Sequence, residues 1–257
     1  MAEIIRIPTE GDTIGGQFVL GPEIGRGGYG VVFQARQLGV DRQVALKMLL
    51  PRALEHQPEV VQRFEREARL ASRLAHRHAV TIYAFGIYDD GSPGPGLPYI
   101  AMEYLEGCSL DEYLKEFGSL PVPAVNSILA SVLDVLAEAH EQGIVHRDLK
   151  PANIFFHEQP GQQPVVKVLD FGIAMAVNPE WSEENRARLT ETGLVTGTAE
   201  YMAPEQAKGV QHFTPAIDVY ALGCLGYQLL TGQFPFMGSN PVEIAIKHIY
   251  EPVPDLP

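Results

Sequence analysis

The chain has 257 residues, with 19 Lys and Arg against 32 Asp and Glu, a formal charge of −13. That balance argues against a binder of nucleic acid or of anionic membranes, both of which need basic surface. Hydrophobic residues at 46% and charged residues at 20% are ordinary globular usage, which excludes a wholly disordered chain.

The first twelve residues, MAEIIRIPTEGD, turn polar too early for a signal peptide. Residues 18–21 lead into a glycine-rich turn, and residues 31–35 and 43–50 read as strands separated by turn signals at Gly39 and Asp41. Residues 58–75 read as a helix opened by Pro58. Residues 80–88 and 99–105 are strand-like around the turn DDGSPGPGLP. After Glu106 the character changes. Val125, Ile128, Leu129, Val132, Leu133, Leu136 and Ala139 recur at helical spacing, and Gly143 stops that helix. Residues 165–169 form a short strand. Residues 174–200 are polar, irregular and too long for an ordinary connection, which marks them as functional. Residues 216–230 are apolar nearly all round, as in a buried helix. This run falls short of the about 20 residues a membrane span needs and contains Asp218, so no membrane contact is expected. Two cysteines, Cys108 and Cys224, are too few for a disulfide scaffold and suit a reducing, cytoplasmic compartment as packing residues.

The charge is uneven. Residues 1–95 carry 11 basic and 11 acidic side chains; residues 96–257 carry 8 and 21, so the whole excess lies in the second part. Such a surface aids solubility, and it also attracts basic substrate segments.

Gly25-Arg26-Gly27-Gly28-Tyr29-Gly30 fits G-x-G-x-x-G. A dinucleotide-binding turn would pass straight into a helix. Here Val31-Val32-Phe33-Gln34-Ala35 follows, which is β-branched and strand-like. The turn therefore joins two strands and suits a flap whose backbone N–H groups approach phosphates. In Val44-Ala45-Leu46-Lys47-Met48 the two-residue period puts Ala45 and Lys47 on one face. On the following helix, Val60, Phe64, Ala71 and Leu74 form an apolar stripe with Glu67 inside it. An inward lysine and an inward carboxylate each need a partner. A Lys47–Glu67 pair would satisfy both and hold the lysine against two phosphates.

Three further segments follow in order: His146-Arg147-Asp148-Leu149-Lys150-Pro151-Ala152-Asn153, then Asp170-Phe171-Gly172, then Ala203-Pro204-Glu205. Eight fixed residues would recur by chance with odds of roughly 10⁻¹⁰ per start. The set resembles the eukaryotic-like (Hanks-type) protein kinases, and HRDLKPAN with GTAEYMAPE resembles the bacterial serine/threonine class within them. The resemblance implies an α+β, bilobal protein-kinase fold. After an N-terminal arm over residues 1–17, a small antiparallel sheet lobe with one key helix would span 18–102. A larger, mainly helical lobe would span 103–257, its last helices lying beyond residue 257.

The resemblance also implies roles. Ile24, Gly25, Gly27, Gly30 and Val32 would form the nucleotide flap, and Val32 and Ala45 would sandwich the adenine. Lys47, held by Glu67, would grip the α- and β-phosphates of ATP. Met102 looks like the gatekeeper, and the backbone of Glu103 and Leu105 like the adenine-binding hinge. Asp148 resembles the catalytic base and Lys150 a γ-phosphate contact. Asn153 and Asp170 resemble ligands of Mg²⁺, with Mn²⁺ as an alternative. Thr198 would shape the site of the substrate hydroxyl, and Asp218 would brace the catalytic loop. His146 reads as a buried structural histidine. Arg147 would pair with a phosphorylated activation segment, in which Thr190 and Thr192 are the expected autophosphorylation sites and Thr196 lies nearby.

The implied activity is transfer of the γ-phosphoryl group to Ser or Thr of proteins, preferably in basic segments, in bacterial signalling. No nucleic-acid partner is expected. A transient homodimer and membrane anchoring through downstream residues stay open. Two other readings compete: a kinase-like binding module without activity, and a small-molecule kinase or Rossmann nucleotide binder. In the family the glutamate of APE pairs with a late arginine. Here the last arginine is Arg188, so Glu205 is expected to lack that partner and the catalytic domain to be truncated.

Overall fold

The structure is a computed structural model and describes residues 6–54, 59–91, 96–171, 199–210 and 213–256. Pro58, Gly172, Thr190, Thr192, Thr196 and Thr198 lie outside the described residues. The chain divides into two compact units.

The first unit takes residues up to Ala75 and then Val80–Leu105. Its strands are β1 (Thr13–Ile14), β2 (Phe18–Arg26), β3 (Gly30–Gln37), β4 (Arg42–Leu49), β5 (Ile82–Tyr88) and β6 (Leu97–Glu103). They form one antiparallel sheet in the order β1-β2-β3-β4-β6-β5. Two helices accompany it, the short α1 (Pro51–Leu54) and α2 (Glu59–Ala71). Alternation decides which face each strand buries. Val31, Phe33 and Ala35 of β3 point into a core shared with Leu46 and Met48 of β4, while Val32 and Gln34 point the other way. The opposite face is covered by α2, whose fully buried Phe64 meets Phe85 of β5 at a ring separation of 6.0 Å. Residues 13–14, expected in an arm outside the lobe, instead extend the sheet, because Ile14 is an apolar residue with core to fill and is fully buried there.

The second unit holds Glu106 onward together with His76–Ala79. Inside this unit the Val168 amide donates to the His78 carbonyl and the His78 ring Nδ1 meets the Val166 carbonyl, both at 2.7 Å. Backbone polarity thus places these four residues with the second unit, although in sequence they stand among first-lobe elements. A three-stranded sheet, β7 (Gly107–Ser109), β8 (Ile154–His157) and β9 (Val165–Val168), is antiparallel throughout. At Gly107, φ is +126° and an added Cβ would lie 2.0 Å from the Phe156 carbonyl oxygen, so only glycine lets β7 approach β8.

The helices are α3 (Leu110–Phe117), α4 (Val122–Glu141), α5 (Pro204–Ala207), α6 (Ala216–Thr231) and α7 (Pro241–Tyr250). A capping box starts α3, with Ser109 Oγ accepting from the Glu112 amide and Glu112 accepting from Ser109. Gly232 in the left-handed conformation, φ +73°, ends α6. Among the described residues α4 is long and apolar enough to cross a membrane, yet Val125, Ile128, Val132 and Leu136 are buried within the unit. Asp218, the polar interruption in α6, is 1% exposed and faces α4.

Candidate active site

In the first unit the candidate residues gather on the sheet face that α2 covers. Directly opposed residues of an antiparallel pair share a face. Val32 opposes Lys47, Lys47 opposes Ile100, and Ile100 opposes Phe85. Ala45, two residues before Lys47, opposes Met102. Val32, Ala45, Lys47 and Met102 therefore lie on one surface, as the strand period requires. Glu67 is half-buried on α2, in the turn after Phe64 that packs on this same surface. The Gly27 amide donates to the Gly30 carbonyl at 2.8 Å and closes the turn between β2 and β3, with Ile24 and Gly25 on its β2 side. At Gly30 an added Cβ would stand 3.1 Å from the Met48 carbonyl oxygen, so a larger residue would press on β4. The Glu103 amide is committed to the Thr81 carbonyl at 2.8 Å, and Leu105 ends the unit two residues on.

The second unit builds its own set around Asp148. Lys150 Nζ lies 2.7 Å from Asp148 Oδ2, and the Asn153 side-chain nitrogen donates to that oxygen at 3.2 Å and to the Asp148 carbonyl at 2.8 Å. Pro151–Asn153 forms a 3-10 turn, which carries Asn153 to the start of β8. The Leu169 amide donates to the Asn153 carbonyl at 2.8 Å, keeping the residue before Asp170 beside Asn153. Asp170 has φ +58° and Arg147 φ +70°, left-handed conformations that side-chain-bearing residues adopt at a cost.

Four groups hold this loop: His146 and Asp218, which the sequence suggests as support, and His140 and Gln206, which it does not single out. His146 is fully buried. Its Nδ1 accepts from the Asp148 amide at 3.3 Å, which puts the ring proton on Nε2, 2.7 Å from the Leu169 carbonyl. The same ring meets Phe171 edge-on at 5.0 Å. Asp218 accepts from the amides of His146 and Arg147, each at 2.8 Å, and bonds His140 Nε2 at 2.8 Å. Burial alone would raise its pKa, but the His140 hydrogen bond, the nearby His146 and the two amides outweigh it and hold the carboxyl below its usual range. His140 escaped sequence reading because it sits in the last turn of α4, where a histidine usually only complements the helix dipole. Gln206 escaped because it follows the motif; buried, it donates to the Arg147 carbonyl and accepts from the Ala203 amide, both at 3.0 Å. Glu205 is half-buried on α5, with no cation in salt-bridge reach among the described residues.

The Asp170 carboxylate and the Asn153 amide oxygen are hard oxygen donors, the kind Mg²⁺ takes when it keeps waters and substrate phosphates as its remaining ligands. A side-chain amide that donates through nitrogen, as Asn153 does, presents its oxygen on the other side. The residues fit the ion.

The family model described as protein kinase domain matches residues 18–253. The chain belongs to the protein kinase family. Among relatives of this kinase domain, serine/threonine-protein kinase pkn3 of Myxococcus xanthus is 42% identical over 244 residues, covering 95% of this chain and 43% of that protein. PknB of Mycobacterium leprae is 41% identical over 240 residues, 93% of this chain and 36% of that protein. The chain thus spans less than half the length of these curated relatives. A crystal structure of the Mycobacterium tuberculosis PknI kinase domain, a double mutant, superposes with a TM-score of 0.70 at 27% identity, covering 90% of this chain and 79% of that one. The α+β kinase fold expected from the motifs is therefore the fold of this chain. Kinases of this family generally use ATP and Mg²⁺.

Proposed function

We propose that this kinase domain transfers the γ-phosphoryl group of Mg-ATP to Ser or Thr hydroxyls of proteins. The observation that carries the reading is the convergence of Lys150 and Asn153 on Asp148, in a loop pinned by Asp218. The hydroxyl oxygen bonds to the γ-phosphorus, the bond to the β–γ bridging oxygen breaks, and ADP departs. Asp148 accepts the hydroxyl proton, and Lys150 neutralises charge on the transferred group. Asn153 and Asp170 would hold Mg²⁺, which when bound would supply charge neutralisation. In the first unit Val32 and Ala45 hold the adenine, Met102 borders it, and the Glu103 and Leu105 backbone reads its edge. The turn with Gly25, Gly27 and Gly30 covers the phosphates, and Lys47, paired with Glu67, grips two of them.

Incubation with radiolabelled ATP, Mg²⁺ and a generic basic protein tests this. Phosphate incorporation is expected in the parent, with losses of about 10²–10⁴-fold in Asp148→Asn and a comparably severe loss in Lys47→Met. Variants that incorporate as much as the parent would show that the site is assigned wrongly. Arg147, adjoining Asp148, suits an anionic partner, and autophosphorylation at Thr190 and Thr192 would supply it. Mass spectrometry after incubation with Mg-ATP should find both threonines phosphorylated; unmodified threonines in an active enzyme would sink that proposal.

A further inference from the structure

One buried titratable group takes no part in the chemistry above. His248 on α7 is 3% exposed, and its Nδ1 lies 2.8 Å from the Tyr220 hydroxyl of α6. Its other nitrogen, Nε2, is buried and makes no hydrogen bond among the described residues. Phe236 meets the ring edge-on at 4.8 Å, closing the apolar side. The carbonyls of Glu200 and Ala199 face the imidazole and favour its protonated form. Those carbonyls belong to the 3-10 turn Ala199–Tyr201, which directly follows Thr198 and leads into α5. The turn's far end is anchored by the Tyr201 hydroxyl, which donates to the Gln228 side chain of α6. An apolar residue would fill the place of His248 without burying an unpaired nitrogen, so packing alone does not account for an imidazole there.

We propose that His248 is a positioning residue for phosphoryl transfer: the Tyr220–His248 pair sets the Ala199–Tyr201 turn in the register that presents a protein substrate. This rests on the kinase reading above. While the ring is neutral and Nδ1 bare, Nδ1 accepts from Tyr220; once Nδ1 is protonated it can only donate to the phenolic oxygen, which turns the hydroxyl proton away from the ring. Burial, the largest influence, keeps the imidazole below its ordinary pKa, so the pair is intact at neutral pH. The other titratable groups around it are Cys224 on α6, Glu205 on α5 and Glu200 on the turn; Lys247 and Glu243 of α7 bridge one another at 3.3 Å. As pH falls through the lowered value the ring gains a second proton, the Tyr220 bond reverses direction beside a buried charge, and peptide binding should weaken.

Steady-state kinetics with the 257-residue chain tests this. His248→Leu and Tyr220→Phe should each raise the peptide KM about five-fold, the worth of one hydrogen bond, with the ATP KM unchanged. His248→Gln, whose amide oxygen can accept from Tyr220, should stay near the parent and lose the acid-side rise in peptide KM. An unchanged peptide KM in both disruptive variants, or an ATP KM that moves in step with it, would overturn the proposal. Hydrogen exchange gives a readout independent of turnover: amides of residues 199–207 should exchange faster in His248→Leu and Tyr220→Phe while the rest of the chain keeps its protection. If the parent transfers no phosphate, the kinase reading fails and exchange still decides the role of His248. Unchanged exchange refutes it. Should His248→Leu fail to fold, Tyr220→Phe decides alone.

Discussion

Asp218 shows how much one side chain can organise. Its carboxylate, 1% exposed, answers two backbone amides and one imidazole at once. Asp218→Ala would leave those donors buried without an acceptor, a loss of about 3–5 kcal/mol by analogy with breaking a buried pair. Chemical denaturation should register it as a fall in midpoint, and a shift under about 1 kcal/mol would show that water replaces the carboxylate. The pH dependence has a definite sign. A carboxyl held below its ordinary pKa contributes stability that is present above the unfolded value and lost as pH falls through the folded one. The parent should therefore lose this contribution only in strong acid, and the gap between parent and Asp218→Asn should narrow there. Sequence alone flagged Asp218 as a charge inside an apolar helix. It could not supply His140, because 78 residues separate the two in the chain.

At the scale of elements, periodicity carried most of the information. The two-residue alternation in β4 put Ala45 and Lys47 on one face, and the register adds Val32 of β3 and Met102 of β6 to it. The helical spacing at 125–139 lies inside α4, which runs three residues further at the start and two at the end. Short strands were not legible: β1 and β7 have two and three residues, too few for a period to show. Gly107 explains why β7 exists at all. Gly107→Ala combines a positive φ with a Cβ 2.0 Å from the Phe156 oxygen. A loss of about 2 kcal/mol or more is expected, read as a drop of roughly 4–8 °C in the thermal midpoint. An unchanged midpoint would mean that β7 peels from β8 without consequence for the rest.

Across the whole molecule, charge is the property that local structure does not use up. The acidic excess belongs to residues 96–257, nearly all of which lie in the second unit. Basic peptides should therefore be phosphorylated with lower KM than acidic ones, and added salt should erase the difference because exposed charges beyond about 8–10 Å are screened. Equal KM values at low salt would refute this. The sequence by itself determined the family, because protein kinases carry particular residue types at fixed short spacings, and from the same spacings it nominated the reacting groups proposed above. Only the tertiary structure decided that His76–Ala79 joins the second unit, that Ile14 extends the sheet, that His140 and Gln206 bond the groups holding residues 146–148, and that His248 meets Tyr220. The physical reason is distance along the chain. A buried donor or acceptor must find a partner somewhere in the fold, and nothing in its local sequence says where that partner will be.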